Sequence, residues 1–275
     1  MMQSKKLTAY TLNLLTYVIT FILFFPILWM VLTSLKTEAI AFSSPPKLFF
    51  EPTLANWKTA IYETDFLHYL QNTITITLAS TLAALALGIP AAYSLAFYPG
   101  RLSNFSLVWM ISTRMLPPAG VIVPLYVLAI DLKLLDTHKG LILIYTAMNV
   151  PLVVWMMRSF FIDIPYQIIE AGRMDGVNLF QEFRYIILPL VRPGLMATFL
   201  LCLIFAWNEF FFAFNLTTKD ATPLSVYIST FKTSEGLFWA KMSAAATITV
   251  FPVVVVGWLA QRQLVVGLTA GAVKA

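Results

Sequence analysis

The sequence predicts an all-α membrane protein with six transmembrane helices and a helix–turn–helix loop on the cytoplasmic side. Three observations carry that prediction. Of 275 residues, 59% are hydrophobic and only 11% are charged, whereas soluble domains are about 25% charged. Six separate stretches each supply the ~20 apolar residues needed to cross the hydrocarbon core. Between the fourth and fifth stretches lies a polar segment with helix start, stop and restart signals of its own. The mean hydropathy of +0.80 excludes a soluble enzyme and a disordered chain, since neither solvates so much apolar surface in water. The single cysteine, Cys202, leaves no intrachain disulfide. The net charge of +5 is spread over short loops, so membrane lipid is expected as a partner and nucleic acid is not.

The apolar stretches cover about 12–35, 71–97, 103–130, 140–162, 194–216 and 242–261. None shows the period-two alternation of a barrel strand, so all six are read as helices. Lys5 and Lys6 precede the first stretch as they precede a signal peptide, but its length and missing cleavage site make it a retained helix. The segment 36–70 carries Pro45, Pro46 and Pro52, then Asn56-Trp57, and is long enough for a small ordered cap. Tyr98-Pro99-Gly100-Arg101 reads as a tight turn. No internal repeat is visible, so residues 1–275 are treated as a single membrane domain. Orientation follows from charge: six of the seven arginines fall on the side that holds both termini. That side is expected to be cytoplasmic.

The loop from about 161 to 193 holds the most information. Asp163-Ile164-Pro165 reads as an N-cap acid followed by a first-turn proline. A helix then runs to Met174 and stops at Asp175-Gly176. Asn178 restarts it, with Gln181 at capping-box spacing. Leu179, Phe180, Phe183, Ile186 and Ile187 recur at helical intervals until Pro189. Such a knob either lies on the membrane surface or docks into a groove on a cytoplasmic protein.

Glu170-Ala171-Gly172, three residues, Gly176, nine residues and Ile186-Ile187-Leu188-Pro189 resemble the EAA loop of ATP-binding cassette (ABC) importer permeases. The family pattern has alanine where this chain has Gly172. The segment Gln261–Lys274, Asn56-Trp57 and Trp207-Asn208-Glu209-Phe210 resemble carbohydrate permeases of the type I fold, of the same kind as the second permease of the maltose importer. The resemblance implies a bacterial inner-membrane subunit that imports a sugar or sugar alcohol. It implies partnership with a second permease, an ATPase dimer and an external solute-binding protein. Under it Glu170, Ala171, Gly172, Asp175, Gly176, Leu188 and Pro189 couple to the ATPase, and the tail from Gly267 to Lys274 reaches toward that interface. The chain itself contains no G-x-x-x-x-G-K-[ST] run. It is therefore expected to be a transport subunit without a cofactor, ATP being bound by the partner.

Polar groups inside spans are functional candidates by default. Arg114 in the third stretch, and Trp207, Asn208 and Glu209 in the fifth, are the candidates for the substrate path. Aromatic rings stack on sugar C–H faces while amides bond hydroxyls. Glu209 also admits another reading, the relay of a proton-coupled secondary transporter. His68 and His138 lie in outer loops, far apart in sequence, and no metal is expected there.

Overall fold

The computed structural model describes residues 2–233 and 236–269. The last residues of the C-terminal motif, Ala270–Lys274, lie outside them. The helices are α1 (Met2–Ser34), α2 (Glu38–Ala41), α3 (Ala55–Tyr62), α4 (Phe66–Phe97), α5 (Ser103–Met115) and α6 (Pro118–Asp131). They continue with α7 (His138–Ile162), α8 (Tyr166–Met174), α9 (Leu179–Leu190), α10 (Arg192–Trp207), α11 (Phe211–Leu216), α12 (Leu224–Tyr227) and α13 (Trp239–Thr269). Lys232–Thr233 and Gly236–Leu237 form a short antiparallel pair before α13. By length and composition four helices qualify as spans, or six if each sharply bent pair is one span.

The kinks expected at in-span prolines such as Pro90, Pro117, Pro118, Pro124 and Pro252 become an outright break at Pro117-Pro118. The stretch 103–130 is two helices, α5 and α6, at 92° to each other. The cause is Leu116-Pro117-Pro118. A proline pushes the residue before it out of the helical region and lacks the N–H a helix needs. Leu116 and Pro117 are accordingly extended, with ψ of 128° and 129°, and α6 restarts with Pro118 in its first turn. The stretch 194–216 is broken at Asn208–Phe210 into α10 and α11.

The chain forms two compact units. The first comprises residues 1–66 and 228–251. In it the Asn56 amide donates to the carbonyls of Ser34 and Lys36 at 2.9 and 2.7 Å, and Trp57 Nε1 donates to Ser34 Oγ. The Glu38 carboxylate accepts from the first-turn amides of Ala240 and Lys241, both at 3.0 Å, which complements the positive end of α13. The expected ordered cap is therefore present, held by Asn56.

The second unit comprises residues 67–227 and 252–275. Its main core joins Ala84, Leu85 and Ala92 of α4 to Val153, Val154, Met157 and Phe161 of α7. A Cβ on Gly88 would stand 2.6 Å from Val153 Cγ1, so a glycine is what lets α4 approach α7. Ile169 and Ile187, from the two arms of the 161–193 loop, are buried in the same core.

Candidate functional site

The loop forms the knob that its local signals predict, with two changes at its ends. Asp163 closes α7 as its C-cap instead of opening α8, and Pro165 occupies the N-cap position with ψ of 125°. Ile164, just before a proline, is biased away from helix, so α8 begins only at Tyr166. Pro189 lies inside the last turn of α9, which ends at Val191. Between these ends, α8 stops at Asp175, and Gly176 adopts φ of +81°, a conformation that costs a residue with a Cβ about 1–2 kcal/mol. Asn178 and Gln181 form a reciprocal capping box at 2.9 Å each way. The middle of α9, Glu182–Ile187, is a π-helix.

An ion pair to a buried carboxylate locks the two arms together. Arg173 Nε donates to Glu182 Oε2 at 2.7 Å, while Tyr93 Oη donates to Glu182 Oε1 at 2.7 Å. The Arg173 Nη2 group donates to Tyr98 Oη at 2.7 Å. The chain thus ties α8 and α9 to the end of α4. Only 1% of the Glu182 side chain is exposed. Burial alone would push its pKa up, but the bonds from Arg173 and Tyr93 outweigh this and hold it below the ordinary value. The same pairing raises the pKa of Arg173.

The predicted coupling residues divide into two sets. Glu170, Ala171, Asp175 and Gly176 are exposed, as is Pro189; Leu188 is half-buried. Gly172 is buried and faces inward, where a Cβ would collide with Ile186 Cδ1. The family's alanine at this position would require the tip of Ile186 to shift. Met174, Leu179 and Phe180 stand exposed between the arms' polar residues. Sequence reasoning missed Glu182, although an acid three residues after Leu179 and four before Ile186, on an otherwise apolar stripe, was a usable signal.

The substrate-path candidates do not converge on one site. Arg114 ends α5 beside the proline break and lines a cavity of about 300 Å³ with Phe212. Its guanidinium stacks 5.1 Å from the Phe205 ring. Trp207 is buried and lines a separate, wholly apolar cavity with Leu203 and Pro252. The Asn208 amide donates back to the carbonyl of Ile204 at 2.8 Å. Glu209 is a helix cap: its carboxylate accepts from the amides of Phe212 and Ala213 at 2.8 and 3.1 Å and from Tyr145 Oη at 2.8 Å. Its backbone carbonyl accepts from Ser225 Oγ. A carboxylate fixed by three donors starts α11 and maintains the break after α10, which leaves the relay reading of Glu209 without support.

Nonlocal pairing at the other end of this unit was invisible in the sequence. His138 Nε2 lies 2.7 Å from Asn72 Oδ1 and His68 Nε2 3.2 Å from Asn72 Nδ2, so the two histidines meet at one amide. The Asn72 amide also donates to the carbonyls of Asp220 and Thr222. Asp136, at φ of +52°, accepts from four consecutive amides, Thr218 to Ala221, and from the Thr218 hydroxyl. Burial opposes its charge, but these donors prevail and hold its pKa well below the usual carboxylate range.

With this geometry established, similarity to known proteins is informative. The family described as binding-protein-dependent transport system inner membrane component matches residues 84–265. The chain is 39% identical over 257 residues to the probable ABC transporter permease protein y4oR of Sinorhizobium fredii, a match spanning 94% of this chain and 92% of that one. It is 34% identical over 255 residues to the trehalose transport system permease protein SugB of Mycobacterium tuberculosis, with coverages of 90% and 92%. A solved bacterial ABC transporter chain involved in import of the acidic polysaccharide alginate shares the fold at a TM-score of 0.76. That match has 23% identity and covers 94% of this chain and 97% of the other.

Proposed function

We propose that this chain, which belongs to the family of binding-protein-dependent transport system inner membrane components, forms half of the path by which a sugar or sugar alcohol enters a bacterial cell. It is a membrane transport subunit of the ABC permease type. The reading gives it a second permease as its other half, an ATPase dimer that binds the ATP, and an external solute-binding protein that delivers the cargo. Both termini are then cytoplasmic, on the side of the knob. The carbohydrate assignment rests on relatives such as SugB, whose name specifies trehalose.

The observation that carries the coupling role is the division of labour inside the knob. Ile169, Gly172, Glu182 and Ile187 are buried, whereas Glu170, Ala171, Asp175 and Gly176 are exposed at the tip. A tip fixed to the α4–α7 core transmits a push as a rigid body, where a frayed loop would absorb it. In this reading Glu170 and Asp175 make charged contacts at the rim of an ATPase groove. Ala171 allows close approach, Gly172 packs the arms, and Leu188 and Pro189 seat the second arm. ATP-driven closure of the dimer then moves the knob together with α7, α9 and α10. Uptake of labelled sugar into cells with and without the ATPase subunit tests this, together with copurification of that subunit. Both uptake and copurification should depend on an intact tip. Uptake that persists without the ATPase and collapses with the proton gradient contradicts it.

A further inference from the structure

Among the described residues, Arg114 is a cation with a shielded nitrogen that meets no acceptor. Eleven residue steps of mostly apolar helix, about 16 Å at 1.5 Å per residue, separate Arg114 from Ser103 at the Tyr98-Pro99-Gly100 turn. A cation inside a span is expected to face a partner charge or a water-filled path. Its Nη1 is shielded from solvent, yet no acceptor among the described residues reaches it. No carboxylate among them forms an ion pair with it. Phe205 covers one face of the guanidinium, which holds the group without consuming its hydrogen bonds.

The surroundings narrow what completes it. Arg114 and Thr113 supply the polar part of a cavity otherwise lined by residues such as Leu125, Ile144, Met148 and Phe212. About 300 Å³ is open there, enough for a sugar ring or a small acid. The acid nearest in the chain's logic, Glu209, is committed to Tyr145 and two backbone amides. The proline break is what aims this position: α5 ends one residue after Arg114 and α6 turns away at 92°, leaving the guanidinium at the edge of an open space.

We propose that Arg114 reads charge in the translocation path, and that the transported solute carries an anionic group, a carboxylate, sulfonate or phosphate, which pairs with its guanidinium at the mouth of this cavity. A planar, permanently charged fork suits such groups, bidentate and without a proton to lose. This rests on the reading of the chain as half of a carbohydrate path and sharpens it to an acidic sugar. A lipid headgroup offers the same chemistry, but a guanidinium held by lipid gives no preference for an acidic over a neutral sugar. A carboxylate of the second permease is the rival occupant.

The test uses the complete transporter in cells supplied with an equimolar set of neutral disaccharides, uronate disaccharides and acidic dipeptides. Accumulation is read by mass spectrometry against cells lacking this chain. The expected result is accumulation of a uronate disaccharide over its neutral counterpart by tenfold or more. Arg114→Gln then raises KM for the acidic sugar at least tenfold and erases the preference, while Arg114→Lys keeps most of it. Accumulation of neutral disaccharides alone, unchanged in Arg114→Gln, overturns the proposal and leaves the carbohydrate reading standing. Accumulation of acidic dipeptides alone, lost in Arg114→Gln, keeps the anion-reading role and overturns the carbohydrate one. Loss of the second permease from the purified Arg114→Gln complex, rescued by a partner acid-to-amide change, assigns the charge to subunit pairing and also overturns it.

Discussion

The knob and the third stretch each place a charge where water is scarce, and they treat it in opposite ways. Glu182 is almost fully buried, and Arg173 and Tyr93 satisfy its oxygens. Arg114 is half-buried, and its shielded nitrogen meets no acceptor among the described residues. A buried charge with its partners in the same chain holds a shape. A shielded charge without them waits for something the described residues do not supply. The difference separates architecture from recognition without reference to any relative.

The largest expected effect breaks the satisfied side of that comparison. Glu182→Ala removes the carboxylate on which Arg173 and Tyr93 converge; Arg173 is one-third exposed and keeps Tyr98 Oη, so the cost lies toward the lower end of the about 3–5 kcal/mol of a broken buried pair. Protease resistance of the knob and copurification of the ATPase should both be lost, whereas Glu182→Gln should keep part of each. Overpacking comes next. Gly172→Leu drives a side chain into Ile186 at about 1–3 kcal/mol, and it should lower uptake without removing the protein from the membrane. Gly176→Val, at a positive φ, costs a similar amount and should misdirect the tip; Gly176→Asn should be tolerated better.

A pH titration sharpens the same contrast. The folded-state pKa values of Glu182 and Asp136 are depressed. Their stabilisation is therefore fully present above the unfolded carboxylate value, about 4, and is lost as pH falls through the folded value. Thermal unfolding followed from pH 7 to 3 should show stability falling below about pH 4, and less steeply in Asp136→Asn. The smallest effect is expected of Asn178→Ala, which removes one half of the capping box for about 1 kcal/mol. It should shift the melting of the detergent-solubilised protein while leaving uptake near normal.

What the sequence revealed was local. The capping box at Asn178–Gln181 and the turn at Gly176 depend on neighbours within a few residues, and both appear where the spacing puts them; the apolar register of α9 does not hold, because its middle is a π-helix that buries Ile187 and leaves Leu179 and Phe180 exposed. The breaks were only half legible. Pro117-Pro118 was visible as a kink, but its consequence, a 92° corner, depends on two successive residues being forced extended. Glu209 looked like a path residue because a carboxylate among aromatics is unusual. Its actual partners include Tyr145, on another helix, which no spacing rule reaches. The meeting of His68 and His138 at Asn72, and the Asp136 clamp on Thr218–Ala221, are likewise products of tertiary packing.

Contact between the knob and an ATPase is the step on which coupling depends. Cys202, the only cysteine, is buried, so a cysteine placed at exposed Ala171 is the one thiol open to a bifunctional reagent. Ala171→Cys in the complete transporter should cross-link to the ATPase subunit, in a yield that changes when ATP is trapped, and cross-linking should block uptake. Failure to cross-link while uptake remains ATP-dependent would contradict the claim that this knob couples transport to the ATPase.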